Sequence, residues 1–406
     1  MTFLIRIVVL IMIGVLSGCN SSEGNEGSKN NNPPKVVEKT NDIKVYMHYM
    51  PWFQGKDFSG YWGSHWKMKT KNPEVVDESG KREIASHYYP LIGPYDSQDP
   101  DVIDYHLLLM KYAGVDGVFV DWYGSHNVYD YKVNLLGTNA LIDRVDDVGI
   151  GFALVYEEFT AENVEKQTSK TAIEAAQSDM AYAEMNYFSR DEYITIDDNP
   201  LLLTFGPRYF KQGSQWDNIF SKLSNRPTFL PLWNHAGYTG NNDAGEFSWV
   251  DFTPALSDLD NFYNKVLGGN VLVGSAFPRF HDFYEEGGTG TSYGFVDFAE
   301  GNTLRNTLAK ATQRKAKYLQ LVTWNDFGEG TVIEPTLEDG FQCLEIIQEF
   351  TGVRYSKHEL ELIHSYYQKK KKYRGDTTTE SQLTEVFNHL VNLEVAQAED
   401  MLNSIP

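Results

Sequence analysis

The sequence predicts an α/β fold, a (β/α)₈ TIM barrel followed by helices that lie outside the barrel. Short apolar runs recur along the chain, and segments of helical periodicity or long polar loops separate them. Hydrophobicity within a run is continuous, as buried strands covered on both faces require. Polar and aromatic residues follow almost every run. The runs are residues 45–49, 117–121, 151–155, 201–205, 228–232, 249–252, 271–274 and 319–322.

Two of these eight strand predictions rest on weaker patterns. Pro231 interrupts the fifth run, and proline cannot donate a hydrogen bond within a sheet. The sixth run, residues 249–252, is short. The remaining six are apolar and rich in β-branched residues, which is typical of strands.

Apolar residues at helical spacing predict helices between and after the strands. Three of these helices, at residues 101–112, 172–187 and 303–317, alternate with the strands. Residues 341–350 and 357–372 predict two more helices beyond the last strand. Residues 380–402 predict a final helix, either packed outside the barrel or partly mobile.

The first residues predict a secretory leader. Arg6 precedes a short apolar stretch, which is too short for a stable membrane span, and small residues precede Cys19. This arrangement resembles the lipobox of bacterial lipoproteins, so we expect cleavage before Cys19 and lipidation of Cys19. The lipid would attach the protein to a membrane without spanning it. The sequence thus predicts a location in the bacterial cell envelope, on the periplasmic or the surface face of the outer membrane.

The domain boundaries follow from these patterns. After the leader, the chain is polar and rich in Ser, Asn, Gly and Pro, so it cannot bury enough apolar surface to fold. The predicted parts are a lipoprotein signal peptide at 1–18, a flexible tether at 19–41, a catalytic barrel at 42–340 and a C-terminal helical extension at 341–406.

Charge and cysteine content exclude several classes of protein. The net charge of -21 argues against a nucleic-acid partner, because phosphate binding needs a basic surface. The basic run at residues 369–372 is interpreted as the solvated end of a helix. Cys343 is the only cysteine after Cys19, so no disulfide can form within the folded part. We expect a monomer without a cofactor.

Two carboxylates three residues apart form the candidate catalytic pair. Asp326 and Glu329 follow the last apolar run in an aromatic, glycine-rich turn. One carboxyl group can protonate a glycosidic oxygen while the other activates water or a sugar hydroxyl. An acidic pair beside glycines can also cap a helix, and that alternative stays open. The aromatic flanks, Trp324 and Phe327, predict a raised pKa for Glu329, while Asp326 in a more polar place stays ionised.

Residues at the predicted strand ends supply candidate sugar contacts. Chemistry in such barrels lies on the carboxyl-terminal face, where these ends meet, and aromatic rings suit the apolar faces of sugars. The predicted substrate-binding residues are Tyr49, Trp52, Trp62, Asp121, Trp122, Tyr156, Glu157, Trp233, Asn234, His281, Trp324, Asn325 and Glu334. Each of them taken singly could equally be a packing or capping residue.

No metal is predicted, because the histidines show no metal-binding motif. Those at positions 48, 65, 235 and 281 could still gather at the barrel mouth as a metal site. Sugar hydrogen bonding or packing is the simpler interpretation.

The last motif resembles two families of glycoside hydrolases. Residues 323–329, Thr-Trp-Asn-Asp-Phe-Gly-Glu, resemble the signature of glycoside hydrolase family 71, the α-1,3-glucanases. Residues 329–335, Glu-Gly-Thr-Val-Ile-Glu-Pro, are similar to a motif of glycoside hydrolase family 99, the endo-α-mannanases. Residues 49–53 and 61–63, with the Ala-Gly-Val-Asp-Gly segment at 113–117, resemble further family 99 segments. The resemblance spans most of the barrel but not the C-terminal helices.

The resemblance implies roles for three residues. Glu329 corresponds to the general acid/base and Asp326 to its partner, while Glu157 corresponds to a substrate contact. The mannanases carry Glu where this chain has Asp326, and in them it assists the sugar's 2-hydroxyl with net retention. The shorter Asp, as in the glucanases, leaves room for a water molecule and favours inversion.

The predicted protein is therefore a lipid-anchored glycoside hydrolase. It would cleave an α-linked polysaccharide, α-mannan or α-glucan, within the chain. The alternative is a non-catalytic glycan-binding lipoprotein, in which the carboxylates only accept hydroxyl hydrogen bonds. A barrel hydrolase acting on another bond is a third possibility, because fold does not dictate function.

Overall fold

The structure is a computed structural model that describes residues 33–265 and 271–406. The predicted signal peptide at 1–18 and the lipidation site Cys19 lie outside the described residues. Part of the predicted tether, however, contacts the folded body. The Asn41 side chain donates to the carbonyl of Phe350 at 2.9 Å, and Lys39 forms an ion pair with Asp116. Residues 39–41 therefore belong to the folded part of the chain.

Eleven strands occur in the described residues. In chain order they are β1 (Lys44–Tyr49), β2 (Gly117–Trp122), β3 (Gly151–Tyr156), β4 (Thr195–Ile196), β5 (Asn199–Thr204), β6 (Thr228–Pro231), β7 (Gly245–Phe247), β8 (Val271–Ala276), β9 (Phe280–His281), β10 (Phe295–Val296) and β11 (Tyr318–Leu321). Eight of them pair in parallel in the order β6, β5, β3, β2, β1, β11, β8, β7. Strand β4 pairs antiparallel with the start of β5, and β9 and β10 form a separate hairpin. The α/β class is thus confirmed.

The two outer strands of the parallel sheet, β6 and β7, approach each other. The amide of Ala244 donates to the carbonyl of Phe229 at 2.9 Å, and the amide of Trp233 donates to that of Phe247 at 2.8 Å. Ala244 immediately precedes β7, and Trp233 lies two residues after the end of β6. The sheet is therefore curled, with its two outer strands close to each other.

The sixth predicted strand is wrong. The strand lies at Gly245–Phe247, with all three residues buried, and not at residues 249–252. Gly245 is needed because a side chain there would collide with the backbone of Val271, 1.7 Å from its carbonyl oxygen. Over 249–252 the chain already turns, since the Asp251 carboxylate accepts the amide of Thr253 at 2.7 Å. The short run is a loop in which Val250 is buried whereas Phe252 is 47% exposed.

Thirteen α-helices occur in the described residues. They are α1 (Lys56–Ser59), α2 (Ser64–Lys67), α3 (Pro100–Tyr112), α4 (Tyr131–Val148), α5 (Thr160–Gln167), α6 (Ala172–Ala183), α7 (Gly213–Ile219), α8 (Ser257–Asn264), α9 (Asn302–Gln313), α10 (Gln342–Thr351), α11 (Lys357–Lys372), α12 (Thr377–Val391) and α13 (Val395–Ser404). The predictions for α3, α10 and α11 differ from these bounds by at most one residue. Helix α4, the longest, was not predicted.

Three predicted helices differ from the structure. The helix expected at 172–187 changes to a π-helical turn over Glu184–Phe188. The helix expected at 303–317 ends at Gln313. The single helix expected at 380–402 is two, because the chain turns at Leu393, whose φ is 60°. Helix α12 also begins earlier, at an Asp376 cap whose carboxylate accepts the amide of Thr378 at 3.2 Å.

The C-terminal helices pack against the rest of the fold through ion pairs as well as apolar contacts. Lys371 of α11 lies 2.8 Å from the Asp99 carboxylate, and Arg374, just after α11, lies 2.7 Å from the same group. Lys369 donates to the carbonyl of Leu402 in α13 at 2.9 Å. The basic run at 369–372 therefore joins parts of the fold and is not simply a solvated helix end.

Across residues 33–265 and 271–406, helices that are both long and apolar enough to span a membrane are absent.

Candidate active site

The turn after β11 carries the predicted catalytic pair. The amide of Asp326 donates to the hydroxyl of Thr323 at 2.8 Å, and one Asp326 carboxylate oxygen accepts the amide of Glu329 at 2.9 Å. Gly330 closes the turn with a φ of 69°, where a side chain would lie 2.5 Å from the carbonyl oxygen of His281. Asp326 therefore caps its own turn while its side chain lines a cleft. Among the described residues, no helix begins directly after this turn, since the next one starts at Gln342, so the pair does not cap a helix as the alternative proposed.

The β9–β10 hairpin supports the turn from the other side. The amide of His281 donates to the carbonyl of Glu329 at 2.9 Å, and that of Phe283 donates to Gly328 at 2.8 Å. From the same hairpin, the Tyr284 hydroxyl donates to a Glu329 carboxylate oxygen at 3.2 Å. Backbone and side-chain contacts together fix the position of the Glu329 carboxyl group.

The cleft beside this pair has a volume of about 550 Å³. It lies where the strands end, as expected for a parallel sheet with helices around it. Its lining residues are Trp52, Phe53, Ser64, His65, Met68, Lys69, Tyr123, Tyr129, Asp130, Tyr131, Phe159, Tyr284, Thr289, Asp326 and Gly328. A larger, more open depression of about 680 Å³ lies at the opposite end, where β1 and β11 begin. The cleft of about 550 Å³ is the candidate active site, because the catalytic pair lies beside it.

Two further carboxylates lie close to the pair. Asp121, at the end of β2, and Glu157, just after β3, interact electrostatically with each other, and Asp121 also interacts with Asp326 and Glu329. Among the described residues, one oxygen each of Asp121, Glu157 and Glu329 is buried without a hydrogen-bond partner. Buried polar atoms of folded proteins are nearly always paired, so three unpaired oxygens in one cluster indicate a ligand site.

Burial and mutual repulsion control ionisation in this cluster. Burial, then the charge of Asp326, holds the pKa of Glu329 well above its usual range. Burial raises the pKa of Asp326 to about 6, against which the amide of Glu329 and the charge of His65 act. Burial also raises the pKa of Glu157 to about 7, although the positive charge of Arg208 opposes it. Because the charge of Asp326 adds to the effect of burial, the pKa of Glu329 is held above that of Asp326, and Glu329 keeps its proton to higher pH.

The raised pKa of Glu329 agrees with the sequence prediction, but its cause is different. The predicted shield, Trp324, is fully buried with its ring edge-on to His106 at 5.2 Å, away from the cleft. Phe327 packs against Trp66 at 5.3 Å. Asp326 is itself buried, so the more polar surroundings predicted for it are wrong. The charge of Asp326 raises the pKa of Glu329, and this charge separates the pKa values of the two groups.

The structure places some predicted binding residues at the cleft. Trp52 lines it, with its ring stacked on that of His65 at 4.3 Å. Asp121 and Glu157 contribute the additional carboxyl groups that interact with the catalytic pair, although neither is among the residues that line the cleft. Their roles in binding a sugar remain predictions.

Several other predicted binding residues are buried away from the cleft, which corrects the prediction for them. Trp122 packs its ring at 5.6 Å from that of Tyr156, and the Tyr156 hydroxyl donates to Asp179 at 2.8 Å. Trp62 is buried under Arg82. Trp324 is enclosed as described. These aromatic side chains serve packing.

Asn325 is also structural. Its side-chain oxygen accepts the amide of Met50 at 2.8 Å, and its nitrogen donates to the carbonyl of Met50 and to the hydroxyl of Tyr95, both at 3.0 Å. The side chain is fully buried. Asn325 thus joins the loop after β1 to the catalytic turn, in place of the sugar contact predicted for it.

Glu334 and Tyr49 belong to the same buried network. Glu334 accepts the hydroxyl of Tyr95 at 2.7 Å and lies 3.4 Å from a ring nitrogen of His106. The other ring nitrogen of His106 lies 3.0 Å from the Tyr49 hydroxyl. Their predicted substrate contacts are wrong, since both side chains point into the fold and support the catalytic turn from beneath.

Of the remaining predicted residues, Trp233 and Asn234 lie in the loop after β6, and His281 lies in β9. Trp233 packs edge-on to Phe262 at 6.0 Å, and Asn234 accepts a hydrogen bond from Lys265 at 2.8 Å. His281 stacks on His87 with the ring centroids 3.6 Å apart. None of these three lines the cleft.

Sequence reasoning missed several cleft residues. Tyr284, which donates to Glu329, lies only three residues beyond His281, a predicted binding residue. Tyr123 lines the cleft, whereas its neighbour Trp122 does not. The alternation of a strand could have identified Tyr123, because it shares a face with Asp121. Arg208 sits on a distant loop, and no local pattern marks it.

The predicted histidines do not gather. His48 contacts Gln320 at 3.2 Å, His235 contacts the carbonyl of Trp233 at 2.9 Å, and His65 and His281 stack on separate rings. Among the residues that the structure describes, no group of three or more His, Cys, Asp or Glu side chains could hold a metal ion.

The sequence model of glycosyl hydrolase family 99 matches residues 40–372 of this chain. The chain therefore belongs to glycosyl hydrolase family 99. Of the two families that the catalytic motif resembles, this is the one with the Glu-Gly-Thr and Ile-Glu-Pro elements.

Individual relatives agree with this assignment. Glycoprotein endo-α-1,2-mannosidase of Rattus norvegicus is 22% identical over 223 residues, 47% of each chain. A glycoprotein endo-α-1,2-mannosidase-like protein of Danio rerio is 46% identical over 88 residues, 20% of each chain. The chain spans less than half the length of the curated relatives it matches.

The fold is shared with a solved family 99 structure. The endo-α-mannosidase of Bacteroides thetaiotaomicron has a TM-score of 0.59 and 18% identity, over 77% of this chain and 99% of that chain. A second structure, described as a glycoside hydrolase-like protein, has a TM-score of 0.52 and 13% identity, over 80% of this chain and 98% of the other. At these identities the likeness concerns the fold.

Proposed function

We propose that this protein is an endo-acting glycoside hydrolase that cleaves α-linked mannan, with Glu329 as general acid and Asp326 as its carboxylate partner. The observation that carries the proposal is the geometry of the turn, which places the Asp326 side chain in the cleft lining and holds the Glu329 carboxyl group beside it through the hydroxyl of Tyr284 at 3.2 Å. Burial and the charge of Asp326 raise the pKa of Glu329, which lets the two carboxyl groups differ in protonation, as acid-assisted cleavage of a glycosidic bond requires.

The geometry supports a division of labour. Glu329, held by Tyr284 at 3.2 Å, donates its proton to the oxygen of the leaving sugar. Asp326 keeps one oxygen on the amide of Glu329 at 2.9 Å, which leaves its second oxygen to take a proton from water. The short Asp side chain favours that water-mediated route, and with it inversion at the anomeric carbon.

The other cleft groups suit a sugar. Trp52 and Tyr123 offer ring faces to the apolar side of a pyranose. The unpaired oxygens of Asp121 and Glu157 are acceptors to which sugar hydroxyls can donate. Mannan is proposed because the relatives at 22% and 46% identity carry endo-α-1,2-mannosidase names. The non-catalytic alternative is not favoured, because both carboxyl groups of a hydrolase family site are present here.

We further propose that the curled sheet closes as a (β/α)₈ barrel. The hydrogen bonds at Ala244 and Trp233 support closure between β6 and β7. We also propose a monomer that is lipid-anchored through Cys19 in the bacterial cell envelope, with residues 1–18 as the cleaved leader. That anchoring rests on the sequence pattern alone. Metabolic labelling with a fatty acid tests it, since Cys19→Ser should abolish the label.

The direct test of the function uses the protein lacking residues 1–18 and its Glu329→Gln variant. Both are incubated with a panel of α-mannans and α-glucans, and new reducing ends are measured. We expect reducing ends from an α-mannan with the wild type and a loss of more than about a hundredfold in the variant. Cleavage of an α-glucan alone would reassign the substrate. Equal product from both proteins would exclude Glu329 as the acid.

The matched control is Glu338→Gln. Glu338 is a partly exposed carboxylate that accepts the amide of Tyr89 at 2.9 Å and pairs with Lys81 at 3.3 Å. It lies outside the cleft lining. We expect this variant to keep wild-type activity, so that loss in Glu329→Gln reflects the acid and not the removal of a negative charge.

A further inference from the structure

An exposed aromatic surface adjoins the Glu329 end of the cleft. It consists of Phe252, Tyr293 and Phe295, which are 47%, 71% and 60% exposed. We call these three residues the aromatic ledge. Large exposed rings scattered singly are ordinary, whereas a group of neighbouring ones marks a binding surface.

The ledge is continuous with the catalytic site. The Tyr293 ring lies 5.5 Å from that of Tyr284, and Tyr284 both lines the cleft and donates to Glu329. The Phe252 ring lies 4.8 Å from Phe280 in β9. The ledge therefore begins one ring away from the acid.

The hairpin that carries the ledge is held in shape by a buried carboxylate. Asp282 is 3% exposed and accepts the amide of Tyr293 at 2.8 Å, the hydroxyl of Ser292 at 3.0 Å and the amide of Tyr284 at 3.3 Å. One side chain thus fixes the backbone under both tyrosines. A surface pre-organised in this way loses little conformational entropy when a ligand binds.

Gly294 lets the Phe252 ring lie against the hairpin. Its φ of 139° favours glycine, and an added side-chain carbon there would lie 3.3 Å from two carbons of the Phe252 ring. Phe295 stands on the neighbouring strand, edge-on to His281 at 5.0 Å. The three rings come from two separate segments that this glycine brings together.

We propose that the aromatic ledge binds the sugar residues on the leaving-group side of the cleaved bond. This inference rests on the proposed function, because it takes Glu329 as the group that protonates the leaving oxygen. The sugar attached to that oxygen must lie next to Glu329, and Tyr284, which donates to Glu329, and the ledge beside Tyr284 are the surface that adjoins this group. Exposed rings suit the apolar faces of successive pyranose residues. The occupant is therefore the continuing α-mannan chain.

The test compares two substrates with different leaving groups. One is soluble α-mannan, whose leaving group is a sugar chain, and the other is the α-fluoride of an α-linked mannose disaccharide, whose leaving group is fluoride. The variants are Tyr293→Ala, Phe295→Ala and the double variant. The control is Phe58→Ala, which removes a ring that is 48% exposed and outside the cleft lining.

We expect the ratio of kcat/KM for mannan to kcat/KM for the fluoride to fall about three- to tenfold per ring removed. The change should lie mainly in KM, and the Phe58→Ala ratio should match the wild type. An unchanged ratio in the double variant, with an active wild type, overturns the ledge and leaves the proposed function intact. A wild type that cleaves neither substrate refutes the proposed function instead.

A binding measurement tests the ledge even if the wild type cleaves neither substrate. The affinity of Glu329→Gln for a mannan oligosaccharide is measured by titration calorimetry, with and without Tyr293→Ala. Weaker binding without the tyrosine supports the ledge. Equal affinity, or no binding by either protein, overturns it.

Discussion

The buried carboxylate of Asp326 should destabilise the folded protein when it is ionised, so a variant without that charge should be more stable. Burial raises the pKa of Asp326 from 3.8 to about 6, so the folded state holds the proton more tightly than the unfolded state. Ionising the group in the folded protein therefore costs stability as the pH rises from about 4 through about 6. Below that window both states are protonated and the cost is absent.

The magnitude follows from the shift. One pKa unit corresponds to about 1.4 kcal/mol, so above pH 7 the ionised Asp326 lowers the free energy of unfolding by about 3 kcal/mol. At pH 4 the cost falls below about 1 kcal/mol. The variant Asp326→Asn removes the charge but keeps an oxygen that can accept the amide of Glu329. It should be inactive and, at pH 8, more stable than the wild type by up to about 3 kcal/mol.

Denaturation by heat or urea at pH 8 and at pH 4 measures the difference. The entropy of unfolding is on the order of 0.8 kcal/mol per kelvin for a folded region of this length, so the gain corresponds to about 4 °C in Tm at pH 8. Asp57→Asn, on an exposed helix, is the control and should change stability by less than about 0.5 kcal/mol. The reasoning is refuted if Asp326→Asn gives no gain at pH 8, or a gain of the same size at pH 4.

Three further predictions address the pair and its support. The rate of mannan hydrolysis should rise with pH through about 6 as Asp326 ionises and fall at higher pH as Glu329 ionises; a profile without the rising limb would contradict the pKa of Asp326 of about 6. The first product observed by proton NMR should be the β-anomer, as inversion requires, and an initial α-anomer would show retention. Tyr95→Phe should lower the free energy of unfolding in urea by about 1–3 kcal/mol, because it leaves buried Glu334 without its 2.7 Å hydrogen bond, whereas the exposed Tyr61→Phe should have no effect.

The strands that sequence predicted well are those with continuous apolar runs. Strand β2 was predicted at 117–121 and lies at Gly117–Trp122, fully buried. Strand β7 was missed because its buried Glu246 is paired with Lys265 at 2.8 Å, a partner far along the chain that makes the burial of an acidic residue tolerable. The sequence pattern therefore placed the predicted strand in the more apolar loop that follows.

The sequence was sufficient to predict the acidic residues of the candidate site but not the aromatic residues that line its cleft. The spacing of Asp326 and Glu329 and the turn around them are local, so the sequence revealed both. Which ring faces the cleft depends on strand parity, and Trp122 was chosen where Tyr123 lies at the cleft. The role of Asn325 depends on Met50, far away in the chain, and such long-range hydrogen bonds have no local signature.

One measurement tests the central claim most directly. The α-fluoride of an α-linked mannose disaccharide needs no proton on its leaving group, whereas mannan does. We expect Glu329→Gln to lose mannan cleavage by more than about a hundredfold but to keep much of its activity on the fluoride, and we expect Asp326→Asn to lose both. Equal losses on the two substrates in Glu329→Gln, or an active Asp326→Asn, would contradict the roles assigned to the pair.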